Sequence, residues 1–336
     1  MRTLVKKRQS NIELLRIIAM LLIMLGHTHL RLSPFLNTDV HHSQFLPFFW
    51  EMMVSCIATT GVGVFIAISG WFGIRFKKEG LWKYIFQVLF VLWVIYGLSI
   101  LFQTAEFNVY GVKVSLSFFE GYWFVIGYLG LYLISPVLNA FIDNASKKEY
   151  QIVLLSFYLF QGYYSWMSAW YDYYNGYSII LFAGIYLTAA YLKKYPVEWM
   201  EKRSAFLLIL LVLFMTFIAS ASYWYLGHAA RQLRDDNPLI ILTSILMLLT
   251  FKKMKCQSSL VNWLAASCFA VYLIHFNPFV YPYLMHFMSG IYSQYDGVIY
   301  AMLLFAVLSS VYLICTLFDQ VRVLAWNSLH YVLDKH

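Results

Sequence analysis

Long apolar segments alternate with short polar or basic stretches along the chain. Ten segments stand out, at 12–29, 51–74, 82–103, 122–142, 150–167, 176–192, 204–225, 238–251, 263–285 and 298–318. An α-helix needs about 17–25 apolar residues to cross a bilayer, and the segments lack the alternation of a transmembrane β-strand. The three short segments, 150–167, 176–192 and 238–251, fit tilted or broken helices. The pattern predicts an all-α, polytopic membrane helix bundle of about ten transmembrane helices.

The composition agrees with this class. Hydrophobic residues make up 61% of the 336 residues and charged residues only 12%, more apolar surface than one soluble core could bury. No Pro/Ser-rich linker or internal repeat divides the chain. We therefore expect residues 1–336 to form a single integral-membrane domain with no appended soluble domain. Any chemistry then takes place within the membrane body or its loops.

The basic residues predict the orientation. With a cytoplasmic N-terminus, nineteen of the 24 Lys and Arg residues fall on the inside, and Arg16 lies within the first segment. Only Arg31, Lys113, Arg231 and Arg234 fall outside. Cytoplasmic loops carry such an excess of cations in membrane proteins generally. Both termini are therefore predicted to be cytoplasmic, and the net charge of +8 needs no nucleic acid partner.

An arginine and a histidine share one face of the first apolar segment. Arg16 and His27 are eleven residues apart, which in an α-helix is about 16.5 Å and close to whole turns. Ionisable side chains inside a membrane are costly and commonly have a partner or a function. Glu13 lies three residues before Arg16 and can pair with it, so a purely structural ion pair is the competing interpretation.

His27 has two interpretations as well. A lone buried histidine is often a packing residue, but histidine is also the side chain that accepts and returns a proton near neutral pH. At the end of the second segment, Arg75, Lys77 and Lys78 form a basic turn suited to a polyphosphate ligand, although the cytoplasmic bias of cations also produces such clusters. The four cysteines show no metal-ligand spacing, and we expect no metal.

Four sequence elements together resemble the acyltransferase-3 family of membrane acyltransferases. The first is Asn11-Ile-Glu-Leu-Leu-Arg16-Ile-Ile-Ala19 leading to His27, and the second is Phe65-Ile-Ala-Ile-Ser69-Gly70. The third contains Trp123-Phe124 followed by Tyr132 and Pro136, and the fourth is Tyr272-Leu-Ile-His275. The elements occur in the family's order and span most of the chain.

The resemblance implies transfer of an acyl group, usually acetyl from cytoplasmic acetyl-CoA, to a hydroxyl of an extracytoplasmic glycan or lipid-linked sugar. It implies a multi-pass protein of the bacterial cytoplasmic membrane, in contact with membrane lipids. Two positions depart from the family pattern: Glu13 replaces aspartate, and the family's Arg-x-x-Arg is Arg75-Phe-Lys-Lys78. Lysine binds phosphate as a point charge but lacks the bidentate fork of arginine.

The resemblance also implies roles for individual residues. His27 acts as general base or forms an acetyl-histidine, with Arg16 and Glu13 beside it. The donor-binding residues are Arg75, Lys77, Lys78 and Ser69, and the candidate substrate contacts are Trp123, Tyr132 and His275. The aromatic outer segment 163–174 is either a sugar platform or an interfacial belt, and His29, His41 and His42 lack the spacing of a metal site.

Two other functions stay open on the sequence. Ten spans with buried charges are also typical of a transporter or flippase for an acyl or glycan carrier, which would move its substrate without consuming acetyl-CoA. A sensing membrane domain is a third interpretation. The acceptor sugar and the oligomeric state, a homodimer included, are not specified by the sequence.

Overall fold

The computed structural model describes residues 8–33, 45–116, 122–163, 178–226 and 232–333. These residues form helices joined by short connections, numbered here along the chain. The helices are α1 (Ser10–His27), α2 (His29–Leu32), α3 (Phe45–Ala58), α4 (Thr60–Phe72), α5 (Lys78–Leu101), α6 (Val109–Leu116), α7 (Trp123–Asn144), α8 (Lys147–Phe160), α9 (Ile179–Lys194), α10 (Glu198–Lys202), α11 (Ser204–Leu226), α12 (Pro238–Phe251), α13 (Ser259–Ala266), α14 (Cys268–His275), α15 (Tyr281–Gln294) and α16 (Gly297–Leu333).

Long apolar helices confirm a multi-pass membrane protein. In the described part of the chain, six helical stretches are long and apolar enough to cross a bilayer, namely Ser10–Leu32, Phe48–Phe72, Lys78–Leu101, Trp123–Asn144, Ser204–Tyr225 and Gly297–Leu329. Helix α12 is apolar but shorter. The count of ten spans and the cytoplasmic termini stay predictions. Following that predicted orientation, we call the side bearing the turn 73–77 the inner face.

Helix α4 is at the centre of the bundle and packs against α1, α9 and α12. Two glycines allow this close packing. A Cβ atom on Gly61 would lie 2.8 Å from the carbonyl oxygen of Ala19 in α1, and one on Gly70 would overlap the carbonyl of Tyr186 in α9. Small residues of this kind let helix backbones approach closely within membranes. Gly61 and Gly70 of the second apolar segment are thus packing residues.

The ninth predicted segment, 263–285, is not a continuous helix. It is divided between α13, α14 and α15, with breaks at Ser267 and at 276–280. The second break contains Asn277 and Pro278, and proline disfavours a helical conformation in the residue before it. The segment therefore enters the bundle as short helices, of which α14 is almost fully buried.

The last helix is longer than the predicted segment 298–318. Helix α16 continues to Leu333 and includes Arg322, which is one of the nineteen cations counted on the inside. Its guanidinium is buried and paired with Asp319. The carboxylate three residues earlier is on the same helix face and gives the buried cation a partner.

Several inner-face lysines bind the ends of helices. Lys193 donates to the carbonyl of Trp71 at 2.5 Å, near the end of α4, and Lys194 donates to the carbonyl of Ile142 at 2.5 Å, near the end of α7. A cation at a helix C-terminus satisfies carbonyls that have no partner within the helix. These two cations are already used by the fold and are less available to a ligand.

Candidate functional site

A chamber of about 270 Å³ lies between α1, α4, α5, α7, α13 and α14. Helix α1 contributes Arg16, Met20, Ile23 and His27, which are spaced as one helical face. The other helices supply a mostly apolar and aromatic wall, made up of Val62, Phe65, Ser69, Tyr84, Trp123, Phe124, Tyr128, Ala265, Ala266, Cys268, Phe269 and Tyr272. The arginine and the histidine singled out by their spacing thus line one common space.

Arg16 lies toward the inner end of this chamber. Its Nη1 donates to both carboxylate oxygens of Glu13 at 2.9 Å. The side chain of Glu13 is 8% exposed, whereas that of Arg16 is 33% exposed. The remaining N–H groups of the guanidinium have no acceptor within the described residues. Arg16 can therefore keep its ion pair and still bind an anion in the chamber.

His27 lies at the other end of the face and is held from several sides. Its ring stacks on Phe276 with centroids 4.2 Å apart, and its carbonyl accepts a hydrogen bond from the Tyr281 hydroxyl at 2.6 Å. Its Nδ1 is 3.0 Å from Nε2 of the fully buried His275. The two histidines are 248 residues apart in the chain and come together because α14 packs against α1.

The hydrogen bonds assign the tautomers of the neutral histidine pair. The Nδ1 atom of His275 is 2.7 Å from the carbonyl oxygen of Val271. A carbonyl only accepts, so this Nδ1 carries the proton and the Nε2 of His275 has a lone pair. His27 must then donate from Nδ1, which leaves its Nε2 as the unprotonated, basic atom. The pair thus orients His27 much as the acidic member orients the histidine of a catalytic triad.

The basic turn is anchored at both ends. Gly73 ends α4 with φ +78°, a conformation that favours glycine. The Ile74 amide donates to the Tyr186 hydroxyl at 2.8 Å, and the Tyr132 hydroxyl both accepts from the Lys77 amide and donates to its carbonyl. The backbone of this turn therefore has a fixed position on the inner face.

The cationic side chains of the turn are exposed. Within the described residues, Arg75, Lys77 and Lys78 form no side-chain ion pair or hydrogen bond. Arg75 also lines an open inner cleft of about 660 Å³ between the ends of α4, α7 and α9. Asp143, near the end of α7, also lines this cleft. These three cations, unlike Lys193 and Lys194, are not used by the fold.

The other predicted site residues have distinct positions. Ser69 lines the chamber, where its hydroxyl is 3.3 Å from the Tyr128 hydroxyl, and Trp123 lines the wall. Tyr132 lies at the basic turn and outside the chamber lining, whereas His275 supports His27 from behind. Segment 164–174, His41 and His42 lie outside the described residues. The described residues contain no group of three metal-binding side chains.

Sequence reasoning missed two parts of the site. The phenol-bearing wall formed by Tyr84 and Tyr128 gave no signal, because aromatic residues are abundant in all the apolar segments. The buried Asp319 and Arg322 pair lies behind the wall at Ser267. An Asp and an Arg three residues apart at the end of an apolar run could have identified it.

His29 is not part of the chamber. Its ring nitrogens contact the Tyr300 hydroxyl at 2.8 Å and Glu51 at 3.0 Å, and so it links α2 with α3 and α16. The three helices that this network links each contact α1.

Comparison with known proteins identifies the family of the chain. A family model described as an acyltransferase domain, that of acyltransferase-3, matches residues 9–319. No curated protein and no solved structure matches the chain. The match covers the helices that form the chamber and includes every predicted site residue. The chain is therefore a membrane acyltransferase that belongs to the acyltransferase-3 family.

Proposed function

We propose that this protein is an O-acetyltransferase of the bacterial cytoplasmic membrane. It moves the acetyl group of cytoplasmic acetyl-CoA to a hydroxyl of an extracytoplasmic surface polysaccharide or lipid-linked sugar. The observation that carries the proposal is the chamber itself, which is lined by a guanidinium with free donors and by an oriented imidazole, on residues whose backbones are about 16.5 Å apart along one helix. One space can thus connect acetyl-CoA on the inner face with an acceptor hydroxyl on the outer face.

The donor's charged part fits the inner face. Coenzyme A carries phosphates, and the anchored turn presents Arg75, Lys77 and Lys78 with unoccupied charges. Arg75 provides the bidentate grip on a phosphate, and the lysines add point charges. The uncharged thioester arm then enters the apolar chamber past Arg16 toward His27. A cation next to the arm stabilises negative charge that develops on the thioester oxygen.

The chemistry follows from the assigned tautomer. The Nε2 atom of His27 accepts the proton of the acceptor hydroxyl while the hydroxyl oxygen attacks the thioester carbon. The tetrahedral intermediate collapses, the C–S bond breaks, and the imidazolium returns its proton to the leaving thiolate. His275 stabilises the imidazolium by accepting from Nδ1 throughout. An acetyl-histidine formed at the same Nε2 is the variant mechanism.

Purified protein tests the proposal directly. Acetyl-CoA is supplied to the protein in sealed proteoliposomes, and free thiol release is measured with and without a lipid-linked glycan from the source cells. We expect thiol release that depends on the acceptor, and O-acetyl signals in the NMR spectrum of the glycan. Glycan movement across the bilayer without thiol release would support the transporter instead. Acetyl bound to the protein before acceptor is added identifies the acetyl-histidine variant.

Charge substitutions test the donor site. Arg75→Ala should weaken acetyl-CoA binding more than Lys78→Ala, because only the guanidinium makes two parallel hydrogen bonds to phosphate. Lys148→Ala is the matched control, since it removes an exposed cation at the start of α8 that is not among the residues lining the inner cleft. Binding is measured by calorimetry in detergent. Equal losses for Arg75→Ala and Lys148→Ala would remove the turn from the donor site.

A further inference from the structure

A buried carboxylate holds the helix break that separates α13 from α14. Asp319 in α16 accepts a hydrogen bond from the Ser267 hydroxyl at 2.8 Å. It also accepts from Nε of Arg322 at 2.5 Å and from Nη2 at 3.1 Å. Asp319 and Ser267 are each 1% exposed and Arg322 is 4% exposed. The three side chains form one buried unit.

The Ser267 hydroxyl does not cap the helix that it precedes. Ser267 precedes α14, and a serine in that place commonly caps the helix by accepting from a backbone amide. Here the side chain makes no capping hydrogen bond to α14. The hydroxyl donates instead to another helix, so the break is fixed from outside by α16.

The break is part of the chamber wall. Ala266 and Cys268, on either side of Ser267, both line the chamber. Two turns before Asp319 on α16, the Tyr312 hydroxyl contacts the sulfur of Cys268 at 3.0 Å and donates to the carbonyl of Leu264 at 3.1 Å. Helix α16 therefore holds the residues before, at and after the break.

Stability alone does not explain the ion pair. The Nη1 group of Arg322 is buried and has no hydrogen-bond acceptor in the described residues, and a buried donor left unpaired costs free energy. A buried ion pair is also no more stabilising, as a rule, than apolar side chains of similar volume. Such a pair within a membrane protein points to a function.

We propose that Asp319, held by Arg322, is a positioning residue for acyl transfer. By fixing the break at Ser267 it sets the direction of α14, whose last residue is His275, about 12 Å further along the helix. That direction determines whether Nε2 of His275 reaches Nδ1 of His27, now 3.0 Å away. This inference rests on the proposed function.

The test uses Ser267→Ala, which removes the hydroxyl without adding bulk. Thr316→Ala is the matched control, because it removes a buried hydroxyl of α16 that bonds only to the carbonyl of Tyr312 within the same helix. Ser267→Thr retains the hydroxyl and should rescue the variant. Acetyl transfer is measured per folded protein, together with the reaction of Cys268 with a small maleimide, followed by mass spectrometry of its peptide.

We expect Ser267→Ala to lower kcat about tenfold or more, since displacing a catalytic group by about 1 Å can cost up to ~10²-fold. The KM for acetyl-CoA should stay within about twofold, because the donor cations are on another element. Cys268 should react several times faster, and Thr316→Ala should change neither reading. A higher KM with unchanged kcat, or variants identical to the parent, would overturn the proposal. The labelling result decides the positioning role even if no acetyl transfer is found.

Discussion

Substitutions of Glu13 and Arg16 can separate the structural role of this ion pair from the role of the arginine in catalysis. Arg16→Ala leaves a carboxylate that is 8% exposed without its partner. Breaking a fully buried pair costs about 3–5 kcal/mol. Because the Arg16 side chain is 33% exposed, solvent in the chamber screens part of that cost, and we expect about 2–3 kcal/mol.

A second substitution removes the uncompensated charge. In Arg16→Ala with Glu13→Gln, only hydrogen bonds are lost, at a cost of about 1 kcal/mol. The double variant should thus be more stable than Arg16→Ala by about 1–2 kcal/mol. If Arg16 binds the donor, neither variant should transfer acetyl groups, since the second substitution restores no cation. Glu13→Gln alone should keep measurable activity.

The assay is thermal unfolding of the detergent-solubilised protein at one heating rate, with the acetyl content of the surface glycan measured in parallel. With about 2 °C per kcal/mol for a large domain, Arg16→Ala should lower the midpoint by about 4–6 °C. The double variant should recover part of this loss. Recovery of both stability and acetylation would refute the reasoning, because Arg16 would then serve only to neutralise Glu13.

Three further predictions concern other parts of the molecule. His27→Asn should lower acetylation by at least about 10²-fold with normal membrane insertion, as measured by glycan acetyl content. Gly70→Ala should destabilise the protein by about 1–3 kcal/mol, because its Cβ overlaps the Tyr186 carbonyl, and thermal unfolding measures this. Burial and the nearby Asp236 raise the pKa of Asp235 to about 7. The folded protein therefore favours the protonated carboxyl, and the stability that this group contributes at low pH is lost as the pH rises from about 4 through 7. Asp235→Asn should flatten the dependence of stability on pH over that range.

Local features of the site follow from helix periodicity. The spacing of Arg16 and His27 was sufficient to place both on one face, and the three-residue spacing predicted the ion pair with Glu13 that the structure contains. The basic turn was also identified in sequence. These features depend only on rise, rotation and charge within one element.

Contacts between segments that are distant in the chain could not be predicted from the sequence. The contact of His27 with His275 depends on how α1 and α14 pack, and no spacing within one helix encodes that. The last predicted segment ends at 318, where hydropathy falls before Asp319 and Arg322, whereas the helix continues through this ion pair to Leu333. The role of Tyr132 at the basic turn is a tertiary contact as well, since its partner Lys77 is 55 residues away.

The hydrogen bond from His275 to the carbonyl of Val271 limits where protons can travel. A backbone carbonyl cannot pass a proton onward, so the chain of donors that starts at His27 ends inside the bundle. The proton taken from the acceptor hydroxyl must therefore leave His27 from Nε2 and go to the departing thiolate. Turnover would then exchange the hydroxyl proton for the acetyl group, with no net charge moved across the membrane. Because no proton is taken from or released to solvent, the rate should be indifferent to a transmembrane pH gradient.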